Sequence, residues 1–178
     1  MSREDVDAIE RAICPGEGAC GGMYTANTMA SAIEALGMSL PNSSAQAAVS
    51  DEKLMDCFDA GAAVVNLINQ NLRPRDIMTK EAFENAICTL AAIGGSTNAV
   101  IHLIAIARRL NINLTIDDFE KLGSDMSNIL NLQPSGDHLM EDFCYAGGLP
   151  VVMKEIQKFL HNDILTVSGK SVAENVAS

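Results

Sequence analysis

The residues of this chain that could do chemistry lie in a glycine-rich stretch, residues 14–29 (CPGEGACGGMYTANTM). Four glycines fall between positions 16 and 22, so the backbone can turn where side chains would clash. Cys20 lies among these glycines, just before a predicted helix whose dipole and free N–H groups favour a thiolate or another anion. The stretch is therefore the first candidate for a metal, cluster or anion site.

Three interpretations of this stretch compete. The spacing Gly16-x-Gly18-x-x-Gly21 matches a dinucleotide-binding fingerprint formally, but that fingerprint follows a strand, and the residues before it here have a helical pattern. We therefore reject it. A structural turn with two inert thiols is one remaining interpretation. The other is a metal or cluster site, which needs ligands from elsewhere because one or two cysteines cannot hold an iron–sulfur cluster.

A second loop has the same form: Gly94 and Gly95 precede Ser96, Thr97 and Asn98, and a predicted helix follows over 99–110. One interpretation is a turn between two helices with a good N-cap. The other is a second helix N-terminus that faces an anion, which would stabilise the charge by about 0.3–2 kcal/mol. The residues alone leave both open.

The composition indicates a mostly helical protein with an aliphatic core. Of the 178 residues 48% are apolar, only 4% are aromatic, and there is no tryptophan. The net charge of −11 argues against nucleic acid as a partner. Five scattered cysteines fit reduced thiols in a cytosol-like compartment. We expect no membrane segment, because no apolar run has spanning length, and no signal peptide.

Periodicity and capping signals predict seven or eight helices and at most two or three short strands. Ser2 and Asp5 form a capping-box-like pair, and Thr79 can cap the helix over 80–93. Pro15 is expected to end the helix over 2–13, the segment 71–75 with Pro74 to break the helical pattern, and Pro150 to open the helix over 151–160. Extended segments are expected at 126–132 and 164–167. The principal helices are expected over 2–13, 23–36, 45 or 50 to 69, 80–93, 99–110, 138–145, 151–160 and 171–176. In the third, an apolar stripe is predicted with Cys57 packed beside it, and Cys88 is predicted to be structural. The stripe comprises Leu54, Phe58, Gly61, Val65 and Ile68.

Residues 18–31 (GACGGMYTANTMAS) closely resemble the iron–sulfur dehydratases, the family of dihydroxy-acid, phosphogluconate and sugar-acid (aldonate) dehydratases. The resemblance runs through most of the chain. It implies that Cys20 is one of three cluster ligands and that Ser96, Thr97 and Asn98 lie near the substrate. It also implies an α/β N-terminal domain followed by a β-barrel domain. Residues 1–178 would form a single, mostly α unit from the later part of that N-terminal domain, with the barrel absent.

The resemblance implies removal of water from a 2,3-dihydroxy acid to give a 2-keto acid, with an iron–sulfur cluster ([2Fe–2S] or [4Fe–4S]) and Mg²⁺. The family's other cluster cysteines, one in a Cys-Asp-Lys motif, its Mg²⁺ ligands and its proposed serine base have no counterpart in these 178 residues. We therefore expect no catalytic residue here, and neither activity nor an intact cluster in this chain alone.

The two halves of the chain indicate different substrates within the family. Residues 14–29 look most like the enzyme of branched-chain amino-acid biosynthesis, whereas 131–136 (NLQPSG), 138–143 (HLMEDF) and 146–150 (AGGLP) are similar to sugar-acid dehydratases. We favour the branched-chain enzyme, because its motif lies nearer the chemistry. A different class of function is also open: the chain could be a non-catalytic helical binding module. The family also implies a homodimer at full length, located in the cytoplasm or in an organelle stroma or matrix.

Overall fold

The computed structural model of the chain describes residues 1–13, 16–18 and 20–177. Cys14 and Pro15, which was predicted to end the first helix, lie outside the described residues. The helices are α1 (Arg3–Ala12), α2 (Thr25–Ala35), α3 (Asp51–Asn69), α4 (Pro74–Ile77), α5 (Lys80–Ile93), α6 (Asn98–Arg109), α7 (Ile116–Gly123), α8 (Met140–Tyr145), α9 (Gly148–Glu155), a 3₁₀ turn (Gln157–Phe159) and α10 (Val172–Ala177).

The mostly α class predicted from the sequence is confirmed. The extended segments expected at 126–132 and 164–167 do not form a sheet. Within the described residues they contribute only isolated bridges, Leu132 with His138 and Leu165 with Ser171. No helix in the described ranges has the length and apolar character to cross a membrane.

Helix α5 is the centre of the core. Most of its residues are buried, and it packs against α2, α7, α6 and α9. Its limits are those that local chemistry predicts. The Thr79 side chain caps the first turn by accepting from the Ala82 N–H at 3.3 Å, and Gly94 ends the helix in the left-handed conformation at φ 64°. Because α5 contacts both α2 and α6, it holds those two helices in one core.

The apolar stripe predicted for α3 is present, but it is not buried. None of the 19 residues of α3 is buried, and Leu54, Phe58 and Ile68 are 70%, 74% and 72% exposed. Cys57 is exposed too, so the prediction of a packed thiol was wrong, whereas Cys88 is buried as predicted. Periodicity identifies an apolar face, but it does not tell what covers that face.

The other differences lie at element ends. Pro150 was predicted to open a helix, but α9 begins two residues earlier at Gly148, and Pro150 occupies its third position. The break expected around Pro74 contains the short helix α4 with proline at its first turn. Neither difference alters the position of α2, α5 or α6.

Candidate functional site

The loop over residues 20–24 is fixed by hydrogen bonds to its backbone. Asn27, in the first turn of α2, donates from Nδ2 to the carbonyl oxygens of Cys20 at 2.7 Å and Gly22 at 2.6 Å. The carbonyl of Gly21 accepts from the Met140 N–H at 2.7 Å. Three successive carbonyl groups are therefore held by donors from two separate segments. This arrangement gives Cys20 a defined backbone position although it lies in a loop.

The Cys20 thiol is exposed, and it lies on the wall of a surface cavity of about 480 Å³. Its Sγ lies 3.6 Å from the carbonyl oxygen of Gly22, a weak contact that leaves the sulfur accessible. The cavity wall also carries polar side chains from α2, the 43–46 segment and α3. Cys88 is the contrasting case, because its burial raises the pKa of its thiol. Of these two cysteines, Cys20 is the one placed to bind a metal.

Gly22 is required by the close packing of the loop. A Cβ atom built at this position would lie 2.7 Å from the Tyr24 ring and 2.9 Å from the carbonyl oxygen of Gln133. The adjacent Met23 N–H donates to that same carbonyl at 2.6 Å. The second glycine of the Cys-Gly-Gly motif therefore lets the 133 segment approach the loop backbone.

The turn over residues 94–98 packs directly on α2. A Cβ atom at Gly95 would lie 2.8 Å from the Thr28 methyl group and 3.0 Å from Leu90. Thr28 is completely buried, and its hydroxyl both donates to the Met23 carbonyl at 3.3 Å and accepts from the Ser96 N–H at 3.0 Å. A single side chain thus contacts the 20–24 loop and the 94–98 turn.

Two further contacts join the turn to the start of α2. The hydroxyls of Thr25 and Ser96 lie 3.1 Å apart, and Asn98 donates from Nδ2 to Thr25 Oγ1 at 2.8 Å. Ser96 also accepts from the Asn98 N–H at 3.3 Å. The two loops singled out in the sequence, about 70 residues apart, therefore meet at the beginning of α2.

The two loops nevertheless open on different hollows. Cys20 faces the 480 Å³ cavity, whereas Ser96 and Thr97 line a separate hollow of about 150 Å³ beside α7. The side chains of Ser96 and Asn98 form hydrogen bonds with Thr25 of α2, and Ser96 Oγ also accepts from the Asn98 N–H. The exposed Thr97 side chain forms no hydrogen bond with the described residues. A substrate-proximal role for these three residues stays a prediction.

Sequence reasoning missed the segment that forms the far wall of the Cys20 cavity. The Lys53 ammonium group on α3 donates to Asp56 Oδ2 at 2.8 Å and to the Ser43 carbonyl at 2.9 Å. The Ser43 hydroxyl donates to the same carboxylate oxygen at 2.7 Å. The available signal was the capping residue Ser50 followed by Lys53 and Asp56. Nothing in the local sequence connects these residues to Cys20.

A buried carboxyl group binds the backbone of the segment that contains Ser43. Glu34 on α2 is only 6% exposed, and it accepts from the backbone N–H groups of Asn42 at 2.6 Å and Ser44 at 2.9 Å. Burial raises the pKa of Glu34, and the nearby Asp56 carboxylate acts in the same direction. Glu34 therefore anchors the 42–44 segment without a cationic partner among the described residues.

Cys20 has no set of partner ligands beside it among the described residues. The described residues contain no group of three or more His, Cys, Asp or Glu side chains that could hold a metal ion. The geometry thus fits one accessible thiolate ligand and does not fit a complete metal centre.

Comparison with known proteins decides the family. The model of the dihydroxy-acid/6-phosphogluconate dehydratase N-terminal region matches residues 1–175. The chain belongs to this dehydratase family. It is 57% identical over 178 residues to a dihydroxy-acid dehydratase of Mycobacterium ulcerans and 55% identical over 180 residues to one of Flavobacterium psychrophilum, matches that cover 99% and 100% of this chain. It is 56% identical over 174 residues, 97% of the chain, to the dihydroxy-acid dehydratase of Ruthia magnifica.

The dehydratase chain spans about a third of the length of these relatives, between 31% and 32%. Membership of the dehydratase family confirms the resemblance inferred from residues 18–31. The family implies an iron–sulfur cluster, Mg²⁺ and a small-molecule substrate. The exposed thiol of Cys20 must be considered in that context.

Proposed function

We propose that residues 1–178 are a segment of an iron–sulfur dehydratase that converts a 2,3-dihydroxy acid to a 2-keto acid, of the dihydroxy-acid dehydratase type used in branched-chain amino-acid biosynthesis. The observation that carries the proposal is the exposed thiol of Cys20, held on a hydrogen-bonded loop at a polar cavity. The similar proteins named dihydroxy-acid dehydratase favour this substrate class over a sugar acid.

Cys20 would hold the cluster as one of its ligands, and the remaining ligands would come from outside this chain. When bound, the cluster would supply a Lewis acid for the leaving 3-hydroxyl group. Mg²⁺, the other cluster cysteines and the catalytic base are likewise assigned to other parts of a longer protein. In this proposal the chain is one unit, the later part of the N-terminal α/β domain, and a β-barrel domain completes the enzyme.

The residues of this chain orient the ligand and the substrate. Asn27 holds the backbone of Cys20 and Gly22 through one hydrogen bond to each, so the position of the ligand's backbone is set before the cluster binds. Thr97, whose hydroxyl is free among the described residues, is the member of the 94–98 turn best suited to donate to a substrate oxygen. Ser96 and Asn98 would position it by tying the turn to Thr25.

The charge of the cavity wall bears on substrate binding. Lys53 is 28% exposed at the cavity, but its ammonium group is neutralised by Asp56. Glu17 and Glu141 also line the cavity, so its wall has no net positive charge. Its polar side chains are therefore suited to the hydroxyl groups of a dihydroxy acid and not to its carboxylate. Its carboxylate would then be bound by Mg²⁺ or by groups outside this chain.

The partners and location proposed with this function follow the family. They are a small-molecule acid as substrate, no nucleic acid, a homodimer at full length, and the cytoplasm or an organelle stroma or matrix. The four described cysteines are free thiols, which is in keeping with a reducing compartment.

The test compares Cys20→Ser with Cys57→Ser in the complete gene product that contains residues 1–178. Both thiols are exposed, so neither change removes core packing. We expect Cys20→Ser to abolish the visible cluster absorbance and lower kcat at least about 10³-fold, because a Lewis-acid metal supplies several kcal/mol of transition-state stabilisation. Cys57→Ser should retain both. Full iron and sulfide content in Cys20→Ser would refute the ligand assignment.

The substrate and the inactivity of the isolated chain are tested separately. The complete protein should release a 2-keto acid from a branched-chain dihydroxy acid faster than from aldonates, and the opposite order would assign it to the sugar-acid enzymes. The 178-residue chain alone, after iron–sulfur reconstitution, should show neither a stoichiometric cluster nor dehydratase activity. An active cluster on the isolated chain would contradict the proposal that further ligands lie elsewhere.

A further inference from the structure

Helix α3 presents a continuous apolar surface to solvent. Its outer stripe consists of five exposed positions: Leu54, Phe58, Gly61, Val65 and Ile68. Four carry large side chains that are between 56% and 74% exposed. Gly61 is open as well, because a Cβ atom built there would meet nothing within 4 Å. Contiguous apolar surface of this kind on a soluble protein marks an interaction site.

The outer stripe points away from the body of the chain. The half-buried positions of α3 are Lys53, Asp56, Ala63 and Leu67. At 100° per residue these inner positions are centred about 145° from the outer stripe on the helix circumference. The contacts of Lys53 and Asp56 with Ser43 lie on this inner side. The described residues therefore leave the outer stripe without a partner from their own core.

The spacing of the stripe is self-complementary. Its steps of four, three, four and three residues form two heptads, the pattern of a helix that pairs with another helix along a seam about 21 Å long. Gly61 lies at the centre of this pattern. If two α3 helices crossed antiparallel at Gly61, Leu54 would face Ile68 of the other copy, and Phe58 would face its Val65. The absent side chain at the centre lets the two backbones approach closely.

The charges around α3 favour the same arrangement. Besides the Lys53–Asp56 ion pair, its first half carries Asp51, Glu52 and Asp59. Its second half carries no charged residue, and Arg73 and Arg75 follow shortly after its end. An antiparallel pair would bring the acidic start of one helix near the basic segment that follows the other. A parallel pair would place Asp51, Glu52 and Asp59 of one copy against the same three side chains of the second.

We propose that two copies of this chain associate through α3, antiparallel and about a two-fold axis at Gly61, with the outer stripe as the buried seam. This inference rests on the homodimer proposed above, but it is independent of the dehydratase chemistry. An isologous contact of this kind closes on itself, so it yields a dimer and not a filament.

Mass measurements on the complete gene product, by light scattering and sedimentation across a concentration series, provide the first test. Phe58→Glu should raise the dimer dissociation constant at least about 30-fold, the factor expected for loss of one buried hot-spot side chain. Val65→Lys should act in the same direction, which separates the effect from the sign of the introduced charge. Ile101→Glu is the matched control, because the Ile101 side chain on α6 is 64% exposed in the unmodified chain. This change should leave the dimer intact.

Cross-linking tests the geometry directly. In a Cys57→Ser background, Gly61→Cys should form an intermolecular disulfide at position 61 under mild oxidation, because the two-fold axis places the two residues together. A mixture of Leu54→Cys and Ile68→Cys proteins should give the mixed dimer in preference to either self-linked dimer. Mass spectrometry of the linked peptides distinguishes these products from links through the native cysteines.

Each other outcome overturns the proposal in an identifiable way. A protein that is monomeric at every concentration would refute both the homodimer and its surface. A dimer that survives Phe58→Glu and Val65→Lys, with no link through position 61, would keep the homodimer and refute α3 as its interface. A fall in thermal stability without a change in mass would show that another part of the same polypeptide covers the stripe.

Discussion

Asn27 provides the sharpest test of how the Cys20 loop is held. In Asn27→Ala, two hydrogen bonds to the loop backbone are lost, those to the carbonyls of Cys20 and Gly22. Each contributes about 0.5–1.5 kcal/mol net, so the free energy of local opening should fall by about 1–3 kcal/mol. Asn27→Asp keeps the shape but removes the donor and places carboxylate oxygens against two carbonyls, so we expect a larger fall.

Native-state hydrogen exchange on this chain measures that opening. The Met23 and Met140 amides donate across the loop, to Gln133 and Gly21. Their exchange should become about 5- to 150-fold faster in Asn27→Ala, in proportion to the lost free energy. Amides in α5 should be unaffected unless global stability falls. Unchanged protection of both loop amides in the Ala and Asp variants would refute the conclusion that Asn27 fixes Cys20.

Two further predictions concern packing and pH. Gly95→Ala should destabilise the chain by about 1–3 kcal/mol in urea unfolding, since its Cβ would overlap buried neighbours; Gly123→Ala, which meets only an ordinary contact at 3.8 Å, is the control and should be neutral or slightly stabilising. Burial raises the pKa of Glu34 above its usual value of 4.5, so the folded state binds its proton more tightly than the unfolded state. The free energy of unfolding should therefore fall as the pH rises from 4.5 through the raised pKa, by at most about 1.4 kcal/mol per pH unit. Glu34→Gln should remove that part of the slope, and an identical slope in both proteins would contradict the assignment.

Helix limits were readable from the sequence because local chemistry sets them. Thr79 caps α5 as predicted, and the helix ends at the predicted Ile93, with Gly94 after it in the left-handed conformation. Ser2 and Asp5 form the predicted capping box at α1, with Ser2 Oγ accepting from the Asp5 N–H at 3.1 Å. These signals act over three or four residues, so no knowledge of the rest of the fold is needed.

The contacts that assemble the candidate site could not be read in the same way. The Thr25–Ser96 pair joins residues 71 positions apart, and nothing in either segment specifies the other. The same limit explains Cys57, because an apolar stripe beside it predicted burial although the described residues place nothing over that stripe. Local pattern gave the motif around Cys20 and the 94–98 turn, but only the packing of α2 and α6 on α5 brings them together.

The contact between Gly95 and Thr28 has a consequence for how such chains diverge. The Thr28 methyl group fills the space that a side chain at position 95 would need, while its hydroxyl is shared by both neighbouring backbones. The two positions therefore cannot be substituted independently. A larger residue at position 95 requires a smaller residue at position 28, and that smaller residue must still supply a hydroxyl oxygen. The two sites are 67 positions apart in the sequence. Covariation between them would thus reflect a steric constraint inside the protein and not selection for binding a substrate.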